Sequence, residues 1–276
     1  MKMTFLGTGG AFTRASENYH NNVLIETDTG ELWLIDCGST ALQSLHELGV
    51  DPLDIDGVII THIHADHTGG LEELGFRGLF LGPNKRFKLI CPEDLLPSYS
   101  SDYTDVSLPD LWKNSLKAGM MHIQDERGYA EEADLETYFD PTPVVVNKSR
   151  FSFGTPAFTL GDSDVGCSFM KTAHVPEKVS MGLHIRSESG TKIYFSADST
   201  GSYLYSNCFE QFDLVFHDCM FMPKYPSTVH THFEELSEFD QKTREKIYLM
   251  HYGDPSGAPE DLLGMRLAER HKTYEV

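Results

Sequence analysis

Hydrophobic and polar residues change period several times along the chain, and each change marks an element. "MTFLGT", "NVLIET" and "LWLIDC" are short apolar or alternating runs bounded by turn residues, so they predict strands, with "DTG" turning between the last two. "ALQSLHELGV" has helical spacing and is closed by Gly49 and Pro52. "GVIITH" reads as a strand, "TGGLEELGF" opens a short helix, and "FKLICP" is a further strand. The second half follows the same pattern, with strands expected at "FTLGD", "CSFMKTAHV", "MGLHIRS", "TKIYFSAD", "FDLVFHDC" and "EKIYLMHYG". Helices are expected at "HFEELSEFDQKTRE" and "PEDLLGMRLAERH". Each half holds a hairpin whose second strand ends in an aspartate followed by small residues, "LIDCGST" and "FSADST", which hints at two similar halves. The pattern therefore predicts an α/β chain with a β-rich core and helices outside.

From about Pro97 to Arg150 the pattern breaks. This stretch carries ten acidic and five basic residues and few strand signals, while Leu108, Leu111, Trp112, Ser115 and Leu116 fall at helical spacing. It reads as an insertion at about 97–150 within a single domain spanning 1–276. Three uses compete for it: a lid, a contact with a second subunit through "LWKNSL", or plain surface elaboration.

Composition changes the picture little. A chain of 276 residues with 40% hydrophobic and 23% charged content can bury an ordinary soluble core. No apolar run approaches the roughly 20 residues that span a bilayer, and "MKMTFLGTGG" turns too soon into glycines to be a leader. The five cysteines, Cys37, Cys91, Cys167, Cys208 and Cys219, are odd in number and lack CxxC spacing. They argue against a disulfide framework or a cysteine zinc site and for a reducing cytoplasm. Charge says more. With 22 basic against 42 acidic residues the formal charge is −20, which discourages a long polyanion as partner. A small anion remains compatible if metal ions reverse the local potential.

The chemistry concentrates in "THIHADHTGG", which holds three of the chain's 13 histidines and an aspartate within six residues. His62 and His64 lie on an extended segment, where alternate side chains share a side, so both can hold one metal ion. Asp66 and His67, in the turn that follows, suit a second ion a few ångströms away. Zinc takes nitrogen and oxygen ligands of this kind and, in catalytic sites, leaves a position for water. Two ions need more ligands, and three candidates stand at strand ends: His174 after "FMKTA", Asp198 after "IYFSA", and His251 after "IYLM". Each alone could be an ordinary loop residue; with His62 to His67 they complete two shells sharing one carboxylate.

These residues resemble the metallo-β-lactamase superfamily: "THIHADH" has its HxHxDH form, and "FLGTGGAF", "LIDCG" and "DGVIITHIHADHTGGLEEL" are all similar to it. The resemblance covers nearly the whole chain outside 97–150 and implies an αββα sandwich, two packed mixed sheets flanked by helices, with metals at one edge. By that likeness His62, His64 and His174 bind the first metal ion, Asp66, His67 and His251 the second, and Asp198 bridges. The ions are two divalent cations, zinc first and manganese as the alternative. The motif says little of substrate, since thioesters, lactams, lactones and phosphodiesters are all cleaved on this scaffold. A flavodiiron redox protein would carry glutamate where His64 stands. "TAHVPEKVSMGLHI", "IYFSADST", "FDLVFHDCMF" and "VHTHFEEL" resemble the ribonuclease Z and small phosphodiesterase branch, in which a histidine at the position of His230 donates a proton to the leaving group.

Two departures separate the chain from ribonuclease Z itself. That family places an RNA-gripping arm between its third histidine and bridging aspartate, whereas here 23 residues separate His174 from Asp198 and form a plain hairpin. The charge of −20, and the seven acids against one arginine in "DERGYAEEADLETYFD", also suit a tRNA poorly. The chain is most similar to the small cyclic-nucleotide phosphodiesterases called anti-Pycsar proteins, which destroy immune signals; members commonly dimerise. The resemblance implies hydrolysis of 3′,5′-cyclic mononucleotides to linear monophosphates. Asp66 would then serve at the reacting centre, His230 or else His232 would be the general acid, and Asp218 would orient a histidine. Asp36 is expected to support the histidine loop. The other readings are a tRNA 3′-processing nuclease, an ester, lactone or thioester hydrolase on the same metals, and a nucleotide-sequestering protein without turnover. The partners expected are a small phosphodiester, a second copy of the chain, no long nucleic acid and no membrane.

Overall fold

The structure is a computed structural model that describes residues 1–97, 110–124, 127–146, 156–201, 209–221, 229–252 and 255–276. The first half contributes β1 (Lys2–Phe5), β2 (Val23–Glu26), β3 (Leu32–Ile35), α1 (Ala41–Glu47), β4 (Gly57–Ile59), α2 (Ala65–Thr68), α3 (Leu71–Phe80) and β5 (Phe87–Pro92). A π-helical turn, Trp112–Leu116, then runs into α4 (Lys117–Met120). The hairpin β6 (His122–Gln124) and β7 (Ala130–Glu132) follows, then α5 (Leu135–Tyr138) and β8 (Phe139–Val144). The second half holds β9 (Phe158–Thr159), β10 (Gly166–Lys171), β11 (Met181–Arg186), β12 (Lys192–Phe195), β13 (Leu214–Asp218), α6 (Phe233–Ser237), α7 (Gln241–Arg244), β14 (Ile247–Met250), β15 (Arg266–Leu267) and β16 (Thr273–Glu275).

Two seven-stranded sheets result, ordered β16-β1-β2-β3-β4-β5-β8 and β15-β14-β13-β12-β11-β10-β9. Both are mixed, and the pairing sequence is the same in each. β1-β2-β3 and β10-β11-β12 are antiparallel, and the three strands stacked beyond β3 and beyond β12 are parallel. Burying one apolar face of each sheet against the other makes the central core, where Phe5, Ile25, Trp33 and Ile59 meet Phe169, Leu183, Phe195 and Phe216. The outer face of the first sheet packs on α1, α3, α5 and the 111–120 helix through Leu45, Leu74, Leu135 and Leu116. The outer face of the second packs on α6 and the turns around it through Phe212, Leu236 and Met265. The layers are therefore helix, sheet, sheet, helix.

Several sequence expectations change. "PEDLLGMRLAERH" keeps helical spacing but forms no helix: Leu263 and Gly264 take φ of 55° and 93°, and the chain turns there before β15. "HFEELSEFDQKTRE" is two short helices, divided where the Asp240 side chain accepts from Thr243 N–H at 2.7 Å and starts α7 afresh. "FTLGD" shortens to Phe158–Thr159 because Gly161, at φ 55°, turns the chain. The stretch read as an insertion supplies β8, parallel to β5, as an edge strand of the first sheet. Its Leu111, Trp112 and Leu116 are buried in this chain's own core, so the apolar side of "LWKNSL" is not available as an interface. Leu108, Asp125, Glu126, Arg150 and Cys208, which also entered the sequence expectations, lie outside the described residues.

Candidate metal centre

In each sheet the parallel strands run the same way, and their carboxyl ends open on one shared edge, the usual ligand-binding end of such sheets. β4 feeds the histidine loop, β10 leads to His174, β12 to Asp198, β13 ends at Asp218, and β14 leads to His251. Asp36, Ala197 and His251, just beyond β3, β12 and β14, have left-handed backbones with φ of 61°, 48° and 60°. Each such non-glycine residue costs on the order of 1 kcal/mol, and strain of this kind gathers at functional sites.

All seven sequence-derived ligand candidates converge. His62, His64, His174 and Asp198 form one cluster, and Asp66, His67, Asp198 and His251 a second, with the donor atoms of each within 4.8 Å of one another. In the first, His64 Nδ1 lies 3.1 Å from His62 Nε2 and 3.2 Å from His174 Nε2. Asp198 Oδ2 stands 3.7 Å from His62 Nε2 and 3.6 Å from His174 Nε2. In the second, Asp198 Oδ1 and Asp66 Oδ2 are each 3.3 Å from both His67 Nε2 and His251 Nε2. A tetrahedral shell with bonds of about 2.0–2.1 Å has ligand–ligand edges of about 3.3 Å. The two oxygens of Asp198 thus face different clusters.

The donors are prepared for a cation. His67 Nε2 and Asp198 Oδ1 are buried without a hydrogen bond, an arrangement that costs free energy unless another species satisfies it. Burial pushes the His64 pKa down to about 4, with His174 adding to the effect, and burial also lowers His62 and His174. All three are thereby neutral imidazoles, the form that binds metal. Around the second cluster the balance reverses. Burial would lower His67 and His251, yet Asp198, with Asp36 and Asp66 for one and Asp218 and Asp66 for the other, raises both, His251 to about 10. The carboxylates there demand a positive charge among them, and a cation meets that demand.

Second contacts fix the rings. Asp36 accepts from Thr61 N–H at 2.8 Å, from Thr61 Oγ1–H at 2.7 Å and from His67 Nδ1–H at 2.7 Å, which turns His67 Nε2 toward the cluster. His174 Nδ1–H donates to the Val229 carbonyl at 2.7 Å. Asp218, fully buried, accepts from His230 Nδ1–H at 2.9 Å and stands 3.5 Å from His251 Nδ1. The loop itself is clamped by Asn22, which accepts from Gly38 N–H at 2.9 Å and donates to the Asp66 carbonyl at 3.1 Å. Gly38 is required there, since a Cβ on it would lie 2.0 Å from that carbonyl oxygen.

Of the two histidines named as general acid, His230 joins Asp198, Asp218 and His251 in a third cluster. Its ring centroid lies 4.8 Å from that of His251 and 5.0 Å from that of His174. Against its burial, Asp218 raises its pKa. His232 is placed otherwise: it is fully buried at the start of α6, where its N–H donates to Glu235 Oε2 at 2.9 Å, and it enters none of the three clusters. Sequence reasoning missed Asn22 and His20. His20 is buried beside Asp66, His67 and His251 and its pKa is lowered by burial; its only local signal was the polar run "HNN" entering an apolar strand.

Residues 1–274 match the family model described as "Anti-Pycsar protein Apyc1". A relative of that name from Bacillus phage 010DV004 is 33% identical over 280 residues, with 99% of this chain and 98% of the relative covered. Another, from Paenibacillus harenae, is 31% identical over 279 residues and covers 100% of both. Among solved structures the chain is similar to the metallo-β-lactamase fold protein YhfI from Bacillus subtilis, with a TM-score of 0.67, 17% identity and coverage of 99% and 98%. Human tRNase Z, short form, gives a TM-score of 0.63 at 18% identity, with coverage of 100% and 99%. The helix–sheet–sheet–helix arrangement is the metallo-β-lactamase fold. Among the described residues no helix is long and apolar enough to cross a membrane.

Proposed function

Since the chain belongs to the anti-Pycsar protein Apyc1 family, we propose that it hydrolyses 3′,5′-cyclic mononucleotides to linear monophosphates and so removes an immune signal. It is a metal-dependent hydrolase, and the observation that carries the finer reading is the shared carboxylate. Asp198 presents one oxygen to each of two clusters, beside a histidine–carboxylate pair that can move a proton. His62, His64, His174 and Asp198 would hold one divalent ion, and Asp66, His67, His251 and Asp198 the other, zinc first and manganese as the alternative. Bound there, such ions acidify water to near neutrality and neutralise charge on a phosphoryl group.

The chain's own residues supply the rest. Asp36 and the Val229 carbonyl hold His67 and His174 in the tautomers that leave Nε2 free. Asp218 raises the His230 pKa and aims the ring through its Nδ1–H, so that the opposite nitrogen can give a proton to the leaving alkoxide. The overall charge of −20 favours a small ligand over a long nucleic acid.

The test is hydrolysis of cyclic AMP, GMP, CMP and UMP by metal-loaded protein, with Asp66→Ala as control. Linear monophosphate formed by the wild type and lost in the variant supports the proposal. No turnover of any of the four would end it and move attention to RNA ends and acyl esters.

A further inference from the structure

Among the described residues Phe12 is the most exposed large apolar side chain, at 100%, ahead of Val145 at 70%. Most phenylalanines here are core residues, so a wholly solvated one invites a question about what it meets. Its place in the fold answers it. Phe12 stands at the tip of a tight turn in which Thr13 N–H donates to the Gly10 carbonyl at 3.0 Å. One foot of that turn, Gly10, rests on the second cluster. A Cβ on Gly10 would come 3.0 Å from His251 Cε1, so the backbone lies against that ring. The stem is pinned as well: Gly9 N–H donates to the Tyr19 carbonyl at 2.8 Å, and Asn21 N–H to the Gly9 carbonyl at 2.9 Å. The turn is thus a pinned post beside His251, with a flat, exposed apolar ring at its end.

We propose that Phe12 is a specificity-determining residue whose ring stacks on the base of a nucleotide held at the Asp66–Asp198–His251 cluster. This rests on the cyclic-nucleotide reading above. The physical reason is the charge distribution. On a chain of charge −20 the metal-ligating clusters can attract the phosphate, but nothing electrostatic selects a neutral, planar base. An exposed aromatic face does so through dispersion and water release, and it accepts every base because each has a π-face.

The experiment compares wild type, Phe12→Ala and Phe12→Tyr on cyclic AMP and on a base-free substrate, the 3′,5′-cyclic phosphate of methyl ribofuranoside. Binding of AMP and of ribose 5-phosphate, followed by calorimetry, gives the same contrast without turnover. For Phe12→Ala, KM for cyclic AMP is expected to rise about 5- to 100-fold with kcat unchanged. KM for the base-free substrate should stay put, and Phe12→Tyr should behave as wild type. An unchanged KM for cyclic AMP in Phe12→Ala overturns the inference while leaving the phosphodiesterase reading intact. So does an equal rise on both substrates, which would assign Phe12 to holding the turn. A wild type that cleaves neither substrate overturns the functional reading and this inference together.

Discussion

Asp36 touches neither proposed ion, yet replacing it with asparagine should empty half the site. The backbone will not object: Asp36 sits at φ 61°, a region asparagine visits more easily than most residues. One oxygen, accepting from Thr61 N–H, is kept by the amide oxygen. The other accepts from both Thr61 Oγ1–H and His67 Nδ1–H at 2.7 Å, and an NH2 group in its place would oppose two donors. The Thr61 hydroxyl can rotate. The imidazole escapes by moving its proton to Nε2, the nitrogen that faces Asp66 and Asp198 at 3.3 Å. That tautomer cannot ligate. Changes in such supporting partners cost about 10- to 100-fold in metal affinity, or about 1.4–2.7 kcal/mol. The loss should fall mainly on one ion, because Asp36 bonds His67 directly and reaches the first cluster only through the Thr61 hydroxyl, 3.1 Å from His62 Nδ1. Metal content after dialysis against a graded chelator reads this directly: wild type should retain two equivalents over a range where Asp36→Asn retains one. Two equivalents held with equal affinity by both proteins would refute the tautomer argument, and loss of both at once would show the clusters to be one unit.

Further outcomes can be set against measurement. His230→Gln should lower kcat on a cyclic nucleotide by about 10²- to 10⁴-fold, but far less on bis(p-nitrophenyl) phosphate, whose leaving group departs without a proton; equal losses on both would remove His230 from the acid role. Stripping divalent ions should lower unfolding free energy by about 4 kcal/mol for each ion lost, relative to protein in free metal at a thousandfold Kd, and a melting curve insensitive to chelation would contradict the reading of Asp198 and His67 as ligands. His184 lies 6% exposed among Tyr194 and Phe212, and burial lowers its pKa from 6.5 to about 3. The unfolded chain then binds the extra proton first, so this contribution to stability is complete above pH 6.5 and shrinks as pH falls toward 3. By about pH 5 the loss amounts to about 2 kcal/mol, so His184→Phe should flatten the acid limb of the unfolding free energy by that much; parallel pH profiles would show that the ring is protonated in the fold.

How much of this was readable beforehand follows from where each residue gets its partner. His62, His64, Asp66 and His67 are neighbours in the chain, so their spacing carried the chemistry unaided. His174, Asp198 and His251 could be picked out because each leaves an apolar strand. Asn22 and His20 carry no such mark, since what makes them matter is a loop that folding brings alongside. The helix expected at "PEDLLGMRLAERH" failed because apolar spacing fits a 3.6-residue period equally well in a chain that turns at Leu263 and Gly264. β8 was hidden for a different reason. "FDPTPV" carries Pro141 and Pro143, which argue against a strand everywhere except at a sheet's edge, and the edge is where β8 lies.

That edge has a consequence for how copies of the molecule can meet. Pro141 and Pro143 are two residues apart, so the amide donors they lack belong to the same side of β8, and the ladder to β5 runs unbroken through all six positions on the other. The outward rim is therefore short of the hydrogens that a further strand would need. Growth by adding backbone to backbone, a process open to almost any extended peptide, is closed at this end of the sheet. Whatever assembles here must do so side chain against side chain, where shape decides who fits.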